Sequence, residues 1–296
     1  MNTLRLGLSQ YEVTAPTSLD LFTAKLDRLL VEGVAGGASL LVIPEYACME
    51  VAAGFAGAGD PPSELHAVCS VTDRLLDIFV SAARRHRIWL QPGSMPWRDR
   101  DRVRNRAPLI APDGTLAFQD KSAMTRFETE SWGVASGAPP SVFATPWGLI
   151  GIAVCYDVEF PPLVRAQTLA GARLILVPSC TDTWHGFNRV CVSARARAIE
   201  NQCFVAVAPT VGDAPSLATL DANHGYAAVF GPADRGFPDD GVIGQGEADR
   251  AMWLFADLDL ASIEAVRKNG AVRNFQDWRN WPAESPVVRL GAMENT

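Results

Sequence analysis

The apolar run at residues 149–154 stops abruptly at Cys155, and a helix-like segment follows from Pro161-Pro162 to Leu169. A run that short, closed by polar residues and followed by a helix, reads as a buried strand of an α/β sheet. A thiol at the carboxyl end of such a strand is exposed where open α/β sheets place their ligands. It also lies near backbone N–H groups that favour negative charge, which lowers a thiol pKa and can hold an oxyanion. A lone buried cysteine is otherwise inert packing. Cys155 therefore gains meaning only from partners elsewhere in the chain.

The rest of the chain repeats the strand-then-helix pattern. Residues 4–9 alternate as a strand, residues 18–34 carry helical spacing, and residues 39–43 form an apolar strand closed by Pro44-Glu45-Tyr46. One helix is predicted over residues 63–86 and a strand over 88–91. Pro112-Asp113-Gly114 marks a hairpin whose far end delivers Asp120-Lys121. Segment 121–137 has little periodicity but combines Arg126, Glu128, Glu130 and Trp132, as an active-site loop would. A second hairpin turns at Pro146-Trp147-Gly148, and a loop at 179–187 precedes a helix over 188–201. Further strands are expected at 174–178, 203–208, 226–230 and 251–258. Strands alternating with helices, interrupted by two hairpins, predict an α/β fold with two mixed sheets and outer helices. Residues 1–270 form its one domain, and residues 271–296, with Phe275, Trp278, Arg279 and Trp281, read as an arm packing on a partner subunit.

Composition narrows the function. A hydrophobic share of 48% and a charged share of 20% over 296 residues fit a globular chain with a sizeable core. A net charge of -7 argues against nucleic acid or an anionic membrane as partner. No apolar run approaches the ~18 residues of a membrane span. The N-terminus MNTLRLGLSQ is strand-like and unlike a signal peptide, so the cytoplasm is the expected compartment. Six cysteines without CxxC pairs and four histidines without ligand spacing argue against a disulfide framework, a metal or any other cofactor.

Three strand ends thus present a carboxylate (Glu45), an ammonium (Lys121) and a thiol (Cys155). Each has a plain reading: a solvated loop acid, a solvated lysine, a packed cysteine. Together they meet the needs of nucleophilic catalysis, which wants a base beside the thiol and donors aimed at the developing oxyanion. Glu45 can take the thiol proton if burial raises its pKa, and Lys121 and the backbone N–H of Tyr156 can hold the oxyanion. Tyr46, Trp184 and Phe187 either line the pocket or pack loops onto the sheet.

The motifs Pro44-Glu45-Tyr46, Asp120-Lys121, Cys155-Tyr156-Asp157-Val158-Glu159-Phe160-Pro161 and Arg197-Ala198-Ile199-Glu200-Asn201-Gln202 resemble those of the nitrilase superfamily of carbon–nitrogen hydrolases. The resemblance covers most of the chain. It implies an αββα sandwich that pairs through its outer helices into a homodimer or higher homo-oligomer. It also implies Glu45 as general base, Lys121 as oxyanion stabiliser and Cys155 as nucleophile, working through a thioester. A second glutamate shortly after the lysine is expected to position the substrate or the lysine; Glu128 is the first choice and Glu130 the alternative. Ser122-Ala123-Met124 departs from the histidine and leucine common after the family's lysine. Tyr156 stands where nitrile-cleaving members have tryptophan, which points to amides or carbamoyl compounds. The expected function is hydrolysis of a small amide. Hydrolysis of N-carbamoyl amino acids, nitrile cleavage, acyl transfer by the same triad and a non-catalytic binding module remain alternatives.

Overall fold

Alternating apolar residues along the central strands face two different layers, and that alternation sets the architecture. The structure, a computed structural model, describes residues 3–279 and 285–287. It begins β1 (Thr3–Glu12), α1 (Leu19–Ala35), β2 (Leu40–Glu45), α2 (Pro61–Cys69), α3 (Thr72–His86) and β3 (Trp89–Asp99). There follow β4 (Arg102–Ile110), β5 (Leu116–Asp120), α4 (Arg126–Glu130), β6 (Val142–Thr145), β7 (Gly148–Ile152) and α5 (Pro161–Leu169). Next are β8 (Leu174–Ser179), α6 (Trp184–Asn201), β9 (Phe204–Asp213), β10 (Ala222–Asn223) and β11 (Ala228–Phe230). The chain continues through β12 (Val242–Gln245), β13 (Met252–Asp259), α7 (Ala261–Asn269) and α8 (Asn274–Asp277).

One sheet runs β5-β4-β3-β2-β1, with β13 on the far side of β1; the other runs β6-β7-β8-β9, with β11 and β12 beyond. Both are mixed: β1, β2 and β3 are parallel, as are β7, β8 and β9, while the flanking strands are antiparallel. The sheets share a short seam where Tyr11 and Glu12 run beside Thr210 and Val211. Leu4, Leu6 and Leu8 of β1 and Leu40 and Val42 of β2 share a buried cluster with Ile150, Ile152, Leu174 and Leu176 of the second sheet. Leu41 and Ile43, on the opposite side of β2, join Phe22, Leu26 and Leu30 of α1 and Leu75 and Phe79 of α3. Behind the second sheet α5 and α6 supply Val164, Val190, Ala194 and Ala198. The layers are helix, sheet, sheet, helix, so the α/β sandwich expected from the sequence is the fold.

Some boundaries differ from the sequence reading. The helix expected over residues 63–86 is two helices, because side chains at the junction take helical carbonyls. Ser70 Oγ donates to Ala67 O at 2.6 Å, and Thr72 Oγ1 donates to Val68 O at 3.1 Å and Pro96 O at 2.9 Å. The helix α6 starts at Trp184 rather than residue 188, since the Thr183 hydroxyl accepts the Gly186 N–H at 3.2 Å as an N-cap. At the C-terminus, Phe275 docks on its own chain: Arg165 Nη2 donates to its carbonyl at 2.8 Å, and the Arg267 guanidinium lies 3.8 Å from its ring centroid. Trp281 and most of the expected arm lie outside the described residues. Among the described residues no helix is long and apolar enough to cross a membrane.

Glycine is required where β3 passes the end of β2. Gly93 has φ +78, and a Cβ there would stand 1.8 Å from the Pro44 carbonyl oxygen, one residue before Glu45. Replacing it would force strand β2 and Glu45 to move. The Gly93→Ala variant should lose ~2 kcal/mol or more of stability, seen as a melting temperature lower by several degrees. An unchanged melting curve would contradict this packing.

Candidate active site

The three chemical groups leave their strands within a residue or a few of the strand ends. Glu45 is the last residue of β2, Lys121 follows β5 directly, and Cys155 opens a five-residue 3₁₀ turn (Cys155–Glu159) after β7. The backbone turns sharply at two of these points: Tyr46 has φ 57 and Cys155 φ 48, the left-handed region that side chains rarely adopt. Such conformations cost ~1–3 kcal/mol each and concentrate at sites where a side chain must be aimed.

The structure brings Glu45, Lys121, Glu128 and Cys155 to one pocket. Lys121 is 2% exposed, and its Nζ donates to Glu45 Oε1 at 2.9 Å and to Glu128 Oε2 at 2.7 Å. An ammonium has three N–H groups, so one remains for a ligand. Glu45 also accepts from Asn105 Nδ2 at 2.8 Å and from the Cys180 N–H at 3.1 Å. Glu128 is held from every side, by Tyr46 Oη at 3.1 Å, Asn105 Nδ2 at 3.3 Å, and Thr125 N and Oγ1 at 3.0 Å each. Glu128 and Thr125 form the capping box of α4, a helix too short for periodicity to reveal. Glu130, the alternative, points elsewhere: it pairs with the exposed Arg126 at 2.9 Å.

The carboxyls of Glu45 and Glu128 are shifted in opposite directions. Burial raises the Glu45 carboxyl above its ordinary pKa, partly offset by Lys121, and the Glu128 charge adds to the rise. Burial acts on Glu128 too, but Lys121 and its hydrogen-bond donors outweigh it and hold that carboxyl low. A pair of acids pushed apart in this way separates a proton acceptor from a fixed anion. Lys121 stays protonated, because the two carboxylates outweigh its desolvation. The thiol departs from the sequence expectation. Burial and the neighbouring Glu45 raise Cys155 well above its ordinary pKa, and Lys121 only partly opposes them. The turn it begins is too short and too deeply placed to offset that desolvation. Cys155 is therefore a thiol at rest: its S–H donates to the Cys180 carbonyl at 3.6 Å, and Ser179 Oγ donates to its Sγ at 3.3 Å.

Asp157 ties two of these segments together. Its carboxylate accepts N–H bonds from Ala123 at 2.7 Å, Ser122 at 3.1 Å and Val154 at 3.3 Å, joining the chain after the lysine to the turn of the cysteine.

The pocket encloses about 540 Å³. Tyr46, Trp132 and Phe127 pack edge to face in its lining, which also includes Tyr156, Glu159, Arg189, Thr181, Ala218, Thr219 and Asp221. Of the aromatic candidates, Tyr46 and Tyr156 line it and Trp184 does not. Trp184, on the first turn of α6, packs instead against Phe187, His224 and Tyr226, and Phe187 is core. Asn105, which bridges both glutamates, escaped the sequence reading because an asparagine inside a strand carries no local signal. Among the described residues no group of three or more His, Cys, Asp or Glu is placed to hold a metal ion.

Comparison with known proteins places the chain in a family. Residues 5–268 match the family model described as carbon-nitrogen hydrolase. The chain is 29% identical over 276 residues to the "Probable hydrolase YhcX" of Bacillus subtilis, covering 93% of this chain and 54% of that protein, about half its length. It is 28% identical to the "Omega-amidase NIT2" of Danio rerio, over 90% of this chain and 92% of that one. Among solved structures, a mutant of the amidase from Nesterenkonia sp. AN1 superposes with a TM-score of 0.70 at 26% identity, covering 93% of this chain and 94% of the other. With the family model spanning nearly its whole length, the chain belongs to the carbon–nitrogen hydrolase family, within the nitrilase superfamily.

Proposed function

We propose that this chain hydrolyses the carbon–nitrogen bond of a small-molecule amide through Glu45, Lys121 and Cys155, with Glu128 fixing the lysine. The observation that carries the reading is a buried ammonium bonded to two carboxylates in the pocket that also holds the thiol, with Cys180 bonding Glu45 through its N–H and the thiol through its carbonyl. As Cys155 Sγ attacks the carbonyl carbon, Glu45 takes the thiol proton and the carbonyl electron pair moves to oxygen. That oxyanion is met by the spare N–H of Lys121 and by the backbone N–H of Tyr156, which precedes the first internal bond of its turn, Asp157 N–H to Val154 O. Collapse breaks the C–N bond, the leaving amine or ammonia takes the proton from Glu45, and a thioester remains. Water then gives a proton to Glu45 and attacks the thioester. Collapse breaks the C–S bond, and the departing thiolate recovers that proton.

The named relatives support amides over nitriles. One is called an omega-amidase, and the Nesterenkonia amidase carries the acetamide moiety of fluoroacetamide on its active-site cysteine. The same reading extends to assembly as a homodimer in the cytoplasm. Leu169, Val192 and Ile199 are exposed on α5 and α6, the outer helices through which a second copy would pack.

Two outcomes are expected. Cys155→Ala should abolish amide turnover, and Lys121→Ala should lower kcat ~100-fold or more; trapped wild type should show the acyl mass on Cys155. Amide turnover retained by Cys155→Ala would end the assignment. The second concerns pH. Activity should rise as pH climbs through the raised pKa of Glu45, because the base must be ionised. Glu128→Gln removes an anion that favours the proton on Glu45, so the acid limb of the kcat/KM profile should move to lower pH while kcat falls at least ~10-fold. A limb moving to higher pH would reverse the assignment of the two glutamates.

A further inference from the structure

Glu64 of α2 is a buried carboxylate outside the pocket whose bonds all lead to a pocket wall. It is 1% exposed, and it accepts the Ala218 N–H at 2.7 Å on one oxygen. The other oxygen accepts the Thr219 N–H at 2.9 Å and the Thr219 hydroxyl at 2.6 Å. No lysine or arginine pairs with it among the described residues. A carboxylate desolvated to this degree without a counter-ion is held by directed donors alone, and each such charge-assisted bond is stronger than a neutral one.

The segment it grips is short and closed on itself. Ala214 N–H donates to Asp221 O at 2.9 Å at the neck, and Asn223 Nδ2 donates to Leu220 O at 2.8 Å. Leu217 and Leu220 plug it into the same core as Leu65 and Val68 of α2. Ala218, Thr219 and Asp221 of this segment line the catalytic pocket. Its outer surface is thus fastened to α2, and its inner surface faces the substrate. The Thr219 hydroxyl is spent on Glu64, so what that residue turns to the pocket is fixed.

We infer that residues 214–221 form a fixed cap that recognises the part of the substrate remote from the scissile bond, and that Glu64 is its positioning residue. The inference rests on the amide-hydrolase reading above. A cavity of about 540 Å³ is far larger than an acetamide-sized substrate needs. The substrate class is therefore an amide with an extended acyl chain that reaches the cap. Glutamine at position 64 cannot substitute, because one of its two terminal atoms becomes an NH₂ donor facing an N–H donor.

The test is Glu64→Gln, assayed on unbranched aliphatic amides from acetamide to hexanamide, with hydrogen exchange read at Ala218 and Thr219. Alkylation of Cys155 by iodoacetamide serves as a reference that does not involve the cap. Expected are at least tenfold faster exchange at both amides and a kcat/KM deficit that grows with chain length, to about tenfold at hexanamide, chiefly in KM. The alkylation rate should change less than twofold. A deficit equal for every chain length, a deficit confined to kcat, or unchanged kcat/KM would overturn the inference. Should Glu64→Gln fail to fold, Thr219→Val, which removes one of the three bonds, should give the same trend at about threefold; a flat response would count equally against it. Wild type inactive on the whole series would count against the hydrolase reading, and the exchange result would still decide whether Glu64 holds the cap.

Discussion

The buried Lys121 ammonium is the interaction on which the rest of the site depends. A lysine 2% exposed is tolerated only with counter-charge at hand, and here two carboxylates supply it at 2.9 and 2.7 Å. Two anions and one cation leave the cluster one negative charge in excess, and the fold decides where that charge sits. Glu128, wrapped by Thr125, Tyr46 and Asn105, keeps it; Glu45, with fewer donors, is the group that titrates. In the proposed reaction this asymmetry lets one glutamate move a proton while the other holds the lysine still.

The αββα sandwich supplies the geometry for that cluster. Glu45 comes from one sheet and Cys155 from the other, so the pocket lies where the two sheets face each other at their carboxyl ends. Asp157 reinforces the crossing, binding the chain after Lys121 to the turn that carries the thiol. Wall segments from α4 and residues 214–221 then complete a cavity neither sheet could form alone.

What could be read from the sequence follows from how local each signal is. The apolar runs of β2, β7 and β8 are buried on both faces, and such runs are visible in any short window. The break between α2 and α3 was not, because helical periodicity continues through Ser70 and Thr72 and only their side-chain bonds end it. The helix α4 is shorter than two turns, yet its Thr125–Glu128 spacing was a readable capping signal. Trp184 looked like a pocket aromatic because the loop it was assigned to is the first turn of a helix, turned towards Phe187 and Tyr226. Asn105 and Glu64 act across long separations in the chain, and no local pattern marks such partners. The thiol was misjudged for a different reason: proximity to N–H groups is legible, whereas depth of burial is not.

The left-handed backbone at the nucleophile limits what chemistry this position can host. With φ 48 at Cys155, a side chain branched at Cβ would clash with its own main chain. Threonine is thereby barred as an alternative hydroxyl nucleophile, while serine, asparagine or glycine could occupy the bend. Evolutionary or laboratory drift at residue 155 would then explore only a narrow set of unbranched replacements, and the thiol is the strongest nucleophile among them.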